Sequence, residues 1–342
     1  MRTPDFEQFL RVLRRDTAPG HLPFYEHIAS PGFISTRMGV DARALDWSGR
    51  DAWKLYVDFW MGMGFDEVPI EIAPALPLQE HENRTTQVSS GSEAHVAIRT
   101  ADEFERYPWP EPGAAVSLYP FEYAAACLPE GAKLVAGVCA GPYEWATSLL
   151  GVEGLSTAVY EQPELVRAVF DKLGEIHTRA LRQIASLEAV GACRQGDDLG
   201  FKTSTFLSPE HLRTYVFPIY TRMAQIAHAV NKPFILHSCG NLATVYDDLI
   251  DGCGIDAKHS FEDVIMPVTE FKRAYGSRVT PLGGLDVDFI CRASEPELRR
   301  YVRRVAEICY ADGFWALGTG NSLTDYMPVE NYLIVLDEGM KL

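Results

Sequence analysis

Short apolar runs of β-forming residues alternate with stretches of helical periodicity from residue 21 onward. This alternation predicts βαβ units and a parallel sheet. The runs are HLPFYEH (21–27), EVPIEI (67–72), KLVAGV (133–138), ACRQGDDL (192–199), PFILHSC (233–239), GIDAKHS (254–260), VTPLGGLD (279–286) and GFWALGTG (313–320), eight in all. Between them, Leu165, Val166, Val169, Phe170, Leu173 and Ile176 recur at helical spacing within 163–187. A second helix is expected over 208–230, with Ser208 as its N-cap, Pro209 in the first turn and Asn231-Lys232-Pro233 as its end. Eight strands with intervening helices predict an α/β fold, a single TIM-type (β/α)8 barrel over residues 1–342. A doubly wound sheet is disfavoured, because HLPFYEHIASP carries no glycine-rich phosphate turn.

Residues 73–120 break this rhythm. They are proline-rich at both ends (Pro74 and Pro77, then Pro108, Pro110 and Pro112), with a polar, β-prone middle from Glu82 to Ile98. Thr85, Thr86, Gln87, Val88 and Ser89, followed by Gly91, suit strand and turn. The segment reads as a βα insertion, a hairpin over the barrel mouth.

Barrel enzymes draw their working residues from the C-terminal ends of the strands, so the strand pattern nominates candidates directly. In order these are Glu26 and His27, Glu71, Cys139, Asp197 and Asp198, His237 and Cys239, His259, Asp286, and Asn321. The sharpest is ILHSCGN (235–241): residues i and i+2 of a strand share a face, so His237 and Cys239 point the same way, and Gly240 lets the chain turn off. An imidazole and a thiolate on one face form half of a zinc site, and a catalytic zinc keeps three protein ligands and an open position. A buried thiol beside a hydrogen-bonded histidine is the alternative reading of the same pair. For a third ligand, His259 is nearest by type, with Asp197, Asp198, Glu26 and Cys139 also in range; His259 would otherwise bind substrate or orient another ligand.

Asp197 and Asp198 are adjacent, so they point to opposite faces and one of them is expected at the mouth as general acid or base, metal ligand or substrate contact. Asn241, Asn321, Glu26 and His259 are read as substrate contacts. Gly283-Gly284-Leu285-Asp286 and Gly318-Thr319-Gly320-Asn321 match no nucleotide fingerprint; their backbone N–H groups could meet an anion or a substrate oxygen, with Gly318 and Gly320 read instead as rim turns.

Composition narrows the partners. With 31 basic against 47 acidic residues the net charge is −16, which repels phosphate backbones and anionic lipid, so neither nucleic acid nor membrane is expected as a partner. No stretch approaches the roughly 18 apolar residues of a membrane helix, and MRTPDFEQFLRVLRRD lacks the apolar run of a secretory signal, so a cytoplasmic location is expected. Seven cysteines, an odd number spread from 127 to 309, read as reduced thiols.

The segments PFILHSCGNL, GIDAKHSFE, PLGGLDVD and GTGNSLTDYMPVENY resemble the uroporphyrinogen decarboxylase-like superfamily, strongly from about residue 163 onward. The resemblance implies a (β/α)8 barrel. Its His-x-Cys is similar to the zinc motif of corrinoid-linked methyltransferases and of cobalamin-independent methionine synthases, a match that transfers onto His237 and Cys239. Those enzymes commonly add a cysteine at the end of the last strand; here that stretch is Leu317-Gly318-Thr319-Gly320-Asn321. The decarboxylases carry an arginine-rich segment after the first strand, whereas here PFYEHIASPGF leads only to Arg37. The resemblance therefore implies a zinc-dependent methyltransferase that moves methyl between a small O-, N- or S-methyl compound and a corrinoid (cobalamin) carrier protein, with homo-oligomerisation open. The competing readings are uroporphyrinogen decarboxylase and a non-catalytic barrel that binds a small ligand or a corrinoid partner.

Overall fold

The computed structural model describes residues 2–78 and 96–342. Six parallel strands form one sheet in sequence order: β1 (Glu67–Ile72), β2 (Lys133–Val138), β3 (Val190–Gly196), β4 (Phe234–His237), β5 (Ala257–His259) and β6 (Thr280–Pro281). The expected strands at 67–72 and 133–138 stand at those bounds, while the later ones are shorter than their apolar runs. Their C-terminal residues leave the ladder to build the mouth.

The two outermost expected strands, 21–27 and 313–320, contribute single parallel bridges rather than ladders. Leu282 beyond β6 pairs with Ala316, and Leu317 in turn pairs with Phe24, so the order runs on from β6 through the last segment to the first. Between the first segment and β1, no bridge forms among the described residues. Pro69 in β1 has no N–H to give, and its carbonyl accepts from the Tyr56 hydroxyl at 2.7 Å instead. Side chains stitch this seam: Arg194 of β3 reaches across the interior to pair with Glu71 of β1 at 3.0 Å and also donates to the carbonyl of His27.

The interior of this TIM-type α/β barrel is packed in layers. Tyr25, Val135, Ala192, Ile235, Ala257, Leu282 and Ala316 meet in one layer, closed from below by Phe6, Phe9 and Leu13. The three alanines leave the width that the aromatic plug fills, and Phe9 stacks on Tyr25 with centroids 5.9 Å apart. Phe6 and Phe9 belong to the helix Phe6–Arg14, whose first turn is capped by Asp5. The outer faces of the strands pack against helices such as Pro163–Ser186, close to the expected 163–187.

The helix expected over 208–230 is continuous from Pro209 to His228 but contains a π turn at Leu212–Val216. Pro218 follows that turn and brings no N–H, which accounts for the local change of hydrogen-bond spacing. Ser208 caps the helix, accepting from His211 N at 3.2 Å. Ser208→Ala is expected to cost about 1 kcal/mol of stability in urea unfolding; an unchanged midpoint would mean that the cap contributes nothing.

The hairpin expected over Glu82–Ile98 lies outside the described residues except for 96–98. The described remainder of 73–120 carries the short helix Ala101–Arg106 and leads into another, Tyr119–Ala125. All seven cysteines are free thiols, and no described helix is long and apolar enough to cross a membrane.

Candidate functional site

The site forms where β3, β4, β5 and the last segment end. In β4 the side chain of Ile235 enters the interior layer, so two residues on His237 faces the same way. The chain continues to Cys239, whose Sγ lies 3.5 Å from His237 Nε2. Gly240 then adopts φ +82°, and a Cβ there would sit 2.1 Å from the backbone of Gly200. Only glycine permits the β3 and β4 loops to approach this closely.

Asp197 and Asp198 separate as adjacent strand residues must. Asp197 is 1% exposed and accepts from Tyr143 N at 3.0 Å, Glu144 N at 2.9 Å and the Tyr220 hydroxyl at 2.6 Å. It thereby caps the helix Pro142–Leu150, and Gly141 leaves the room, since a Cβ there would fall 2.0 Å from Asp197 Cγ. Burial pushes its carboxyl up to about 7 against the pull of those donors. Asp197 therefore holds the start of this helix against the end of β3. Asp198 is half-buried and takes the N–H of Cys239 at 3.4 Å. One donor atom each from Asp198, His237 and Cys239 lies within 4.8 Å of the others.

Removing the hydroxyl in Tyr220→Phe deletes a buried bond to a carboxylate. The variant is expected to lose about 1.5–3 kcal/mol in urea unfolding; an unchanged stability would show that the helix N–H groups suffice to hold Asp197.

His259 is fully buried on β5, with Nδ1 2.7 Å from His237 Nδ1 and Nε2 3.0 Å from the Thr319 carbonyl oxygen. Both of its nitrogens are engaged inside the protein, so it is not free to meet substrate as expected. The His27 ring stacks on His237 with centroids 3.6 Å apart, and its Nε2 is 3.6 Å from Glu71. Gly196 makes space for it.

Asn321 Nδ2 donates to Cys239 Sγ at 3.3 Å, and the Cys239 thiol in turn approaches Ser260 Oγ at 3.7 Å. Burial pushes the Cys239 thiol up to about 12, reinforced by the Asp198 carboxylate.

Two other expected substrate contacts have partners within the protein. Glu26 lies outside the barrel interior, because Tyr25 before it and His27 after it take the inward positions. It accepts from Thr319 N and Oγ1 at 2.6 Å each and from the Tyr332 hydroxyl at 2.8 Å. Asn241 turns its Oδ1 to Ala243 N at 3.1 Å in a local turn. The pattern reading left out Arg194 and Ser260 and did not choose His27 over Glu26. A lone arginine in the apolar run of β3 was the available signal, since a charge there must find a partner indoors.

The uroporphyrinogen decarboxylase (URO-D) family model matches residues 7–339. The chain belongs to the URO-D family. No curated protein matches it. Among solved structures, a methyltransferase from Methanosarcina mazei superposes on this URO-D chain with TM-score 0.70 at 17% identity, covering 98% of this chain and 97% of its own. Xylanase B from Clostridium stercorarium F9 reaches TM-score 0.39 at 10% identity over 65% of this chain and 84% of its own. The first likeness establishes the shared fold of the URO-D chain and the methyltransferase.

Proposed function

We propose that this URO-D family member is a zinc-dependent methyltransferase of a corrinoid-dependent demethylation system, moving methyl between a small O-, N- or S-methyl compound and a corrinoid carrier protein. The observation that carries this reading is the convergence of Asp198, His237 and Cys239 at the barrel mouth. The fold it shares with the Methanosarcina methyltransferase supports the same reading.

The donor set fits zinc. Imidazole nitrogen, sulfur and carboxylate oxygen are its ordinary ligands, and three from the protein leave one position for substrate. A thiol that burial keeps protonated is also the kind that a dication converts to thiolate. When bound, zinc would supply a Lewis acid at the heteroatom that loses or gains methyl.

The chain's own residues divide the remaining work. Cys239, His237 and Asp198 would hold the ion, and Asn321 would stabilise the sulfur charge through its N–H. Asp198 takes up the role left open where the last segment offers Asn321 in place of a cysteine. The shallow, half-buried positions of Asp198, Cys239 and Asn321 leave the mouth open to substrate and to the carrier's corrinoid.

The test uses protein purified without added metal, mixed with reduced cobalamin and a panel of methyl ethers, methylamines and methyl sulfides. Near-stoichiometric zinc and conversion of cobalamin to its methylated form, read by absorbance, are expected. Turnover of uroporphyrinogen by a metal-free protein would overturn the reading in favour of the decarboxylase. Ligand-induced thermal shifts without any turnover would favour a binding protein.

A further inference from the structure

Among the described residues, buried groups that the proposed chemistry leaves unused include Lys258 behind β5, His177 between two carbonyls, and His259 behind His237. The last carries an argument through to the site. We infer that His259 is a positioning residue that holds His237 in the one tautomer whose Nε2 lone pair faces Cys239. The consequence for metal affinity rests on the zinc reading above; the tautomer itself does not.

The reasoning starts from an atom that can only accept. The Thr319 carbonyl oxygen is 3.0 Å from His259 Nε2, so that nitrogen carries a proton and donates it. A neutral imidazole has one N–H, which leaves His259 Nδ1 as an acceptor. His237 Nδ1, 2.7 Å away, must then be the donor between the two rings. His237 has spent its proton on that bond, and its Nε2 presents a lone pair at 3.5 Å from Cys239 Sγ.

The assignment would fail if either ring held a second proton. A second proton would place a charge on rings buried beside the Arg194 guanidinium, which burial foremost disfavours. Two carboxylates face this group: Asp198, with an oxygen within 4.8 Å of a His237 ring nitrogen and accepting from Cys239 N, and Glu71, engaged with Arg194 at 3.0 Å and with His27 at 3.6 Å.

The same relay decides how three histidines in contact share their tasks. His27, His237 and His259 each offer a ring nitrogen within 4.8 Å of the others, a geometry that by itself resembles a three-histidine metal site. With both nitrogens of His259 committed, one to a proton donor and one to a carbonyl, that trio lacks a third free lone pair. The lone pair of His237 is directed instead to the Asp198 and Cys239 side.

The far end of the relay is fixed as firmly as the near end. Glu26 accepts both the N–H and the hydroxyl of Thr319, so the carbonyl that orders His259 is itself held in place from the helix side. A hydrogen bond to the distal nitrogen of a metal-binding histidine sets ring orientation and raises ligand basicity, and losing such a partner typically weakens metal affinity about 10–100-fold.

The experiment has two arms. In metal-free protein with ¹⁵N-labelled histidine, NMR should show His237 protonated at Nδ1 and bare at Nε2, its signal assigned by loss in His237→Gln. In the second arm, zinc affinity is measured by chelator competition for His259→Phe and His259→Asn, each checked for folding by circular dichroism and thermal melting. Phenylalanine preserves the edge contact with Tyr25, 5.2 Å between centroids, but accepts nothing; a loss of about 10–100-fold is expected. Asparagine offers Oδ1 where Nδ1 stood and is expected to recover most of that loss.

Observation of His237 protonated at Nε2 in the metal-free protein would overturn the inference, as would a folded His259→Phe that binds zinc like the parent. If neither parent nor variants bind zinc while His237 shows the Nδ1 proton, the positioning role stands and the zinc reading falls.

Discussion

Replacing Cys239 by alanine is expected to take the protein from near-stoichiometric zinc to trace zinc, and to lower methyl transfer at least about 100-fold. Partners behind a ligand are typically worth about 10–100-fold, so removal of a ligand lies at or beyond the top of that range. Alanine removes the only sulfur among the three converging donors and leaves Asp198 and His237, too few to retain the ion against water. Cys291→Ala is the control. That residue lies in the helix Val287–Arg292, away from the converging donors, and its loss should change neither metal nor turnover. Elemental analysis and the cobalamin absorbance assay read both quantities on one preparation. Unchanged zinc in a folded Cys239→Ala would remove the proposed metal site.

The second large effect is on the fold. Glu26→Ala is expected to cost about 3–5 kcal/mol, because it leaves Thr319 N, Thr319 Oγ1 and the Tyr332 hydroxyl buried without their acceptor and opens a cavity between strand and helix. These bonds also hold the last segment beside the first, where two isolated bridges, Phe24 to Leu317 and Ala29 to Leu323, do the pairing. Glu26→Gln separates charge from shape. Burial pushes the Glu26 carboxyl from 4.5 up to about 7, with the Thr319 and Tyr332 donors pulling it down. A carboxyl raised in the folded state contributes most below its unfolded value, and that contribution is lost as pH rises through about 7. Between pH 5 and pH 8 this group removes about 2.5 kcal/mol from the parent. Glutamine cannot ionise, so the variant should lose correspondingly less over the same interval in urea unfolding at the two pH values. Equal losses in parent and variant would show that Glu26 is already ionised at pH 5.

Much of the barrel can be read from the chain because each strand declares itself by a local apolar run. The places where the structure departs from that reading share one cause. Pro69 leaves β1 without a donor toward the first segment, so an expected strand becomes a bridge and the seam passes to the Arg194 side chain. A run of apolar residues says that a segment is extended; whether it finds backbone partners depends on its neighbour.

The site divides in the same way. The period of two places His237 and Cys239 on one face and separates Asp197 from Asp198, and both relations are properties of the chain alone. Which aspartate faces the mouth depends on where the helix Pro142–Leu150 presents its N-terminal N–H groups, and they claim Asp197. Likewise the pattern offers Glu26 and His27 together, and the pairing of Phe24 with Leu317 decides that His27 turns inward while Glu26 bonds to Thr319. His259 could be named as ligand, substrate contact or orienting residue; the Thr319 carbonyl, 60 residues away along the chain, selects among these.

Local patterns along the chain are thus enough for the fold class, the order of the strands, the candidate strand-end residues and the shared face of His237 and Cys239. Which polar side chains remain free for chemistry is set by long-range packing. Alternation along a strand is set by covalent geometry within a few residues, whereas the hydrogen-bond partners that consume Glu26, Asp197 and His259 come from distant segments. A buried polar group is spent or available according to who meets it there.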